Sequence, residues 1–251
     1  MRRRRCSTCP DPALIQTVAE IASTNSALLA RLGGGEAIGE GYWLVADRQS
    51  AGRGRAGRQW SDGHGNFMGS TVARLCPGDP PAPTLSLVAG VALHRTLVAQ
   101  IGAAPGMLLK WPNDVLVGGA KLAGILLERN GDAVVVGIGV NLAQAPVVPD
   151  RPTVALSGLG QALARDAFAR ALADEWRAAL ALWHRQGWPA LREDWLARAH
   201  PRGTLLSVRD PVAGVIMGGF AGLDADGAAL LRLADGERRA IHAGDLELVG
   251  E

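Results

Sequence analysis

The chain has 251 residues, 48% of them hydrophobic and 20% charged, with a formal net charge of +2. That composition suits a globular protein able to bury a full core, as one large domain or a moderate domain with a small appendage. The charge is too slight to argue for nucleic-acid binding, and no stretch reads as a membrane span, so neither nucleic acid nor membrane is an expected partner.

Arg2–Arg5 leads into Cys6-Ser7-Thr8-Cys9-Pro10-Asp11-Pro12, polar and proline-broken where a secretory signal needs an apolar run. Residues 1–12 are therefore read as a disordered leader. Cys6-x-x-Cys9 has metal or redox spacing but no second pair, so incidental thiols are the better reading. With Cys76 the cysteines number three, an odd count that suits a reducing, cytoplasmic setting.

Residues 13–32 are predicted helical, with Leu14, Ile15, Val18, Ile21 and Ala22 as an apolar face. Ser23-Thr24-Asn25 interrupts that face and can cap a helix over Ser26–Leu32. Gly33-Gly34-Gly35 ends it. Tyr42–Ala46 reads as a short buried strand. Then comes Gly52–Trp60, Gly-Arg-Gly-Arg-Ala-Gly-Arg-Gln-Trp. Its glycines permit positive φ and close backbone approach to a ligand. Arg53, Arg55 and Arg58 supply planar donors for phosphate or carboxylate. It is not a P-loop, because no Lys-Ser or Lys-Thr ends it and more loop follows.

Asn66–Leu75 reads as a strand, and 77–83 as a proline-rich loop. A long helix opens at Pro83-Thr84, with His94 beside its apolar face, a packing or surface residue rather than a ligand. Met107–Trp111, Val115–Val117, Gly124–Glu128 and Ala133–Gly139 are short apolar strands, with turns at Gly118-Gly119 and Asn130-Gly131-Asp132. Residues 142–160 form a long loop. Helices are predicted over Arg165–Trp183 and Trp188–Ala199. After Pro201-Arg202-Gly203 the chain reads as all-β: Thr204–Val208, Val212–Leu223, Ala228–Leu233 and Arg239–Val249, a small barrel. The expected organisation is a leader at 1–12, a catalytic domain at 13–202 and a C-terminal domain at 203–251.

Three further clusters have the chemistry to partner the Gly-Arg loop. Lys110-Trp111-Pro112-Asn113-Asp114 is a rigid turn between two strands. Lys121 enters an apolar strand directly after a flexible turn. Gly137-Ile138-Gly139-Val140-Asn141 brings glycines to a strand end, where a ligand can approach. Anion-binding arginines, a strand lysine, a carboxylate and glycine-lined strands suit a carboxylate and a nucleoside triphosphate held side by side.

In order and spacing these motifs resemble the biotin protein ligases. The resemblance runs through Ser23-Thr24-Asn25, Gln49–Trp60, Lys110–Val115, Lys121–Leu126 with Glu128, and Gly137–Asn141. It implies an α+β fold: a class II aminoacyl-tRNA synthetase-like catalytic domain around a mixed sheet, with a small SH3-like barrel. It implies ATP-dependent activation of biotin as biotinyl-5′-AMP, then transfer to a lysine of a biotin carboxyl carrier protein, such as that of acetyl-CoA carboxylase. Mg²⁺ would be bound mainly through the ATP phosphates, with no protein ligand assigned.

Carried over by position, Ser23, Thr24, Asn25 and Gln49 would hold biotin, with Gly124 offering backbone beside it. The loop of Gly52, Arg53, Gly54, Arg55 and Arg58 would close over the biotin chain and the phosphates. Arg53 and Arg55 would bind carboxylate and phosphate oxygens, and Lys121 would sit between them. Asp114 would orient or deprotonate the incoming lysine. Trp60, Asn113 and Asn141 would line the nucleotide pocket, with the 142–160 loop over adenine.

Ala56 stands where the family loop often has Arg, which implies altered loop affinity. The Ser-Thr-Asn cluster begins at residue 23, so no winged helix and no repressor function are expected. The resemblance leaves homodimerisation open, with a sheet edge as the contact. A lipoate–protein ligase would share the fold and the adenylate chemistry, but the Gly-Arg loop favours biotin. A non-enzymatic nucleic-acid module would need stacking aromatics on the barrel, and from residue 203 onward there is only Phe220.

Overall fold

A computed structural model describes residues 14–149, 151–210 and 214–249; the expected leader and its Cys6-x-x-Cys9 pair lie outside them. The larger part is built on a seven-stranded sheet. Its strands are β1 (Leu14–Ile21), β2 (Tyr42–Gln49), β3 (Phe67–Arg74), β4 (Met107–Lys110), β5 (Asp114–Val117), β6 (Ala120–Asn130) and β7 (Ala133–Val140). They lie in the order β1-β2-β3-β7-β6-β5-β4. β1 runs parallel to β2, and the other neighbours are antiparallel. The helices are α1 (Thr24–Gly33), α2 (Thr84–Ile101), α3 (Arg165–Gln186) and α4 (Pro189–Leu196).

The first element corrects the sequence reading. Residues 14–21 form a strand, not the first half of a helix. Ile15, Val18 and Ile21 recur at helical spacing, but the run is rich in β-branched side chains. It finds a partner in β2, from Leu14 opposite Tyr42 to Ile21 opposite Gln49. The helix begins only at Thr24. Ser23 caps it, its Oγ accepting the Ser26 N–H at 3.4 Å. The capping expected of the polar cluster holds, two residues earlier than Ser26.

α2 forms where the sequence predicts a long helix. It is long and apolar enough to cross a membrane by length and composition, with a mean hydropathy of 1.3 over 18 residues. Most of it is buried against α3, α4 and the sheet, as a core helix is.

The two faces of the large sheet differ, and β7 shows how. Val134, Val136, Ile138 and Val140 point into the main core with α2 and α3. Ala133 and Val135 point the other way, into a small cluster under Leu28 of α1. Strand alternation places Gly137 and Gly139 on that second face. There the apolar filling stops, and the glycines lie against Asn25 and Trp60 instead.

The chain leaves α4 at Leu196 and enters a five-stranded antiparallel sheet at Leu205. Its strands are β8 (Leu205–Asp210), β9 (Gly214–Leu223), β10 (Ala229–Arg232), β11 (Arg238–Ile241) and β12 (Glu247–Leu248), in the order β11-β10-β9-β8-β12. Leu206, Phe220, Ala229 and Leu231 join the same hydrophobic cluster as the large sheet. The single strand expected over Arg239–Val249 is instead two, split around Gly244, whose φ is +113°. The loop between them carries Asp245 into the site.

Candidate active site

A cavity of about 390 Å³ opens where the glycine face of β6 and β7 meets the start of α1 and the Gly-Arg loop. That volume suits a small-molecule site. Side chains are missing from its floor for a steric reason. A Cβ on Gly139 would overlap the indole of Trp60, and one on Gly137 the carboxamide of Asn25. Trp60 Nε1 is buried without a hydrogen-bond partner among the described residues, and the ring lies against the Gly139 backbone.

One end of the cavity is a buried polar network. Gln49 Oε1 accepts the Thr24 backbone N–H at 2.7 Å. Thr24 Oγ1 and Ser70 Oγ are 2.7 Å apart, and Ser70 Oγ donates to Asn25 Oδ1 at 2.6 Å. Asn25 Nδ2 donates to Glu128 Oε2 at 3.0 Å. Satisfied networks of this kind hold a fixed pattern of donors and acceptors.

The centre belongs to Lys121. A register shift in the β5–β6 ladder takes the pairing from Val115–Ala123 to Leu116–Lys121, leaving Leu122 as an extra residue. Lys121 and Gly124 are three apart and would face opposite ways on a regular strand. The bulge puts them on one side. Hence a Cβ on Gly124 would lie 3.1 Å from Lys121 Nζ. Lys121 Nζ donates to Asp114 Oδ1 at 2.6 Å and lies 5.8 Å from the Trp60 ring centroid.

The other end is cationic. The Gly-Arg loop is a small hairpin: Trp60 N–H donates to Gly52 O at 3.0 Å, and Gly54 N–H to Arg58 O at 2.8 Å. A short 3₁₀ turn spans Arg55–Gly57. Arg53 pairs with Glu128 at 2.8 Å and donates to Ser26 Oγ. Arg55 donates to Asp245 at 2.9 Å and to Asn113 Oδ1 at 3.0 Å. Arg58 also donates to Asp245, and Arg151 stands 3.8 Å from the same carboxylate. Burial pushes the Asp245 carboxyl up, but the Arg58 hydrogen bond and the charges of Arg58, Arg55 and Arg151 outweigh it and hold it below its usual range. Burial lowers the nearby Lys110 ammonium, against the raising influence of Asp114.

Asn113 and Asn141 line the cavity with their amides already engaged. Asn113 Nδ2 donates to Ile125 O at 2.8 Å, beside the cis Trp111–Pro112 peptide. Asn141 Nδ2 donates to Val154 O at 3.2 Å, tying β7 to the 142–160 loop. Their first task is to hold the walls. Among the described residues no group of three or more His, Cys, Asp or Glu side chains could hold a metal.

Residues 20–142 match the Biotin/lipoate A/B protein ligase family, and residues 208–249 match the Biotin protein ligase C terminal domain. The biotin–[acetyl-CoA-carboxylase] ligase of Paracoccus denitrificans is 43% identical over 76% of this chain and 83% of its own length. That of Mycobacterium tuberculosis is 37% identical over 92% of this chain and 88% of its own. The chain belongs to the biotin protein ligase family. A solved biotin protein ligase of Aquifex aeolicus, in complex with biotin and ATP, superposes with a TM-score of 0.81 at 26% identity, covering 94% of this chain and 98% of that one.

In this biotin protein ligase the residues singled out from the sequence converge. Ser23, Thr24, Asn25, Gln49, Arg53, Gly54, Arg55, Arg58, Trp60, Asn113, Asp114, Lys121, Gly124 and Asn141 all line the cavity. Gly52 stands behind it; a Cβ there would meet the Trp60 carbonyl. Sequence reasoning missed Ser70, Arg151 and Asp245. Ser70 had a signal, a polar residue inside an apolar strand. Arg151 and Asp245 had none, being ordinary loop charges until the fold brings them in.

Proposed function

We propose that the chain is an ATP-dependent biotin–[biotin carboxyl carrier protein] ligase acting through an acyl-adenylate. The observation that carries the reading is the position of Lys121, between a polar pocket at one end of the cavity and an arginine cluster at the other. A biotin head group suits the Thr24–Gln49–Ser70 end. Its carboxylate then faces Lys121, and the ATP phosphates face Arg53, Arg55 and Arg58.

A carboxylate oxygen attacks the α-phosphorus, the bond to the β,γ-phosphates breaks, and pyrophosphate leaves. Lys121 and the arginines offset the repulsion between two anions as the phosphorus centre crowds. Mg²⁺ bound through the ATP phosphates would offset part of the same charge, with no protein ligand assigned to it. The amine of a carrier lysine, losing a proton, then attacks the acyl carbon and AMP leaves. Asp114 lies beside Lys121, where it can orient the cation and the incoming amine. Residues 13–202 form the catalytic unit in this reading and 203–251 the C-terminal unit, working in the cytoplasm.

The test is intact mass spectrometry of a biotin carboxyl carrier domain incubated with the protein, biotin and Mg-ATP. A gain of one biotinyl group that requires ATP is expected. A gain only with lipoate and a lipoyl domain would overturn the choice of acid. No gain with either would overturn the ligase reading.

A further inference from the structure

Among the described residues five cationic side chains line the cavity: Arg53, Arg55, Arg58, Lys121 and Arg151. Each has an internal counter-ion. Arg53 is held by Glu128, and Lys121 by Asp114. Both of those carboxylates stand on strands of the large sheet. The remaining three cations all turn to Asp245. That residue is not on the large sheet. It lies on the short loop between β11 and β12, behind Gly244, whose carbonyl also accepts from Arg55 Nη2 at 3.2 Å. One carboxylate from the small sheet thus bridges two segments of the cavity rim, the Gly-Arg loop and the 142–160 loop.

Three arginines converging on one anion form the arrangement that binds a phosphate group. We propose that Asp245 is a built-in occupant of the polyphosphate position, a competitor that the nucleotide must displace from Arg55, Arg58 and Arg151. The inference rests on the ATP-dependent reading above. Its physical basis is charge. While Asp245 stays, the three arginines present a reduced net charge to an incoming polyanion, and Arg55 and Arg58 have donors engaged with it. Displacement frees the β11–β12 loop from the Gly-Arg loop, so nucleotide binding is linked to the seating of the small sheet on the large one. The device keeps a strongly cationic loop compact and neutralised until a ligand with more charge than one carboxylate arrives.

The probe is inorganic tripolyphosphate, titrated calorimetrically into the full chain without biotin, so that the result does not depend on catalysis. Asp245→Asn keeps the shape and an acceptor oxygen but removes the charge. It should bind tripolyphosphate roughly three- to tenfold more tightly than wild type, the scale of one unit charge at the edge of a solvated site. Asp245→Glu should restore near-wild-type affinity. Asp245→Ser, which also removes the charge, stands in if the Asn variant does not fold. Equal or weaker binding by the neutral variants would overturn the proposal and make Asp245 a residue that positions the arginines for phosphate. Biotin-dependent ATP–pyrophosphate exchange by the wild type separates this result from the ligase reading. Absence of exchange sinks that reading, whereas the tripolyphosphate affinities decide the role of Asp245 in either case.

Discussion

Lys121 Nζ and Asp114 Oδ1 lie 2.6 Å apart, with side chains only 16% and 11% exposed. A pair so poorly hydrated is held by geometry as well as charge, and removing either member leaves the other uncompensated. Lys121→Ala should slow adenylate formation by about two powers of ten, the scale of one lost charged contact in a transition state. Asp114→Ala should slow it too, because Lys121 then loses the partner that aims it. ATP–pyrophosphate exchange reads this first half-reaction alone. Normal exchange by the Asp114 variant would limit that carboxylate to the transfer step.

Ala56 has φ +52° and ψ +38°, and no other non-glycine residue among those described has positive φ. Left-handed backbone costs an L-residue about 1 kcal/mol relative to glycine. Ala56→Gly should therefore raise the stability of the ligand-free protein by up to about 1 kcal/mol, less the entropy that glycine adds to the unfolded chain. Ala56→Val should lower it. Thermal unfolding of the three proteins side by side would show the order Gly, Ala, Val, and the reverse order would refute the strain.

Gly137 and Gly139 lie on the same face of β7 but would fail differently as alanine. At Gly139 the new methyl overlaps the indole of Trp60, at the end of the Gly-Arg loop, so that ring must shift within the cavity. Biotin affinity should fall about tenfold or more with little change in melting temperature. At Gly137 the methyl overlaps Asn25, which is buried and hydrogen-bonded to Ser70 and Glu128. Overpacking there should cost on the order of 1–3 kcal/mol of stability. Calorimetric unfolding and biotin titration of the two variants separate these outcomes.

Two histidines bend the pH–stability curve in opposite senses. Burial, helped by the Arg198 charge, pushes His94 down to about 4. Its folded value lies below the unfolded one, so the unfolded chain takes up the proton first. Stability is lost as pH falls from about 6.5 towards 4, by up to about 3 kcal/mol. His184 is raised by its hydrogen bond to Glu40, against burial, and further by Asp79. Its contribution is full below about pH 6.5 and is lost as pH rises through the raised value. Urea unfolding across pH 4 to 9 should show His94→Asn flattening the acid limb and His184→Asn the neutral-to-alkaline limb.

The active-site chemistry was legible because its signals are local. Positive φ, planar cations and turn-forming residues cluster in the Gly-Arg loop. The polar interruption at Ser23-Thr24-Asn25 marks a helix start whatever surrounds it. The long buried helix and the strand pairs from 107 to 140 were legible for the same reason, since periodicity and turn chemistry act within a few residues.

Pairing and charge neutralisation needed the tertiary structure. Leu14–Ile21 carries helical spacing and becomes a strand because β2 offers it a ladder, a partner more than twenty residues away in the chain. Lys121 shares a face with Gly124 only because one extra residue in β6 resets the alternation, and a bulge is a property of two strands together. Asp245 is an ordinary acid in the 242–246 loop until the small sheet docks and sets it among arginines nearly a hundred or more positions earlier. Residue order sets which groups are present and where the backbone can bend. The fold decided which of them meet, because hydrogen-bond register and charge pairing depend on distances in space that chain position does not specify.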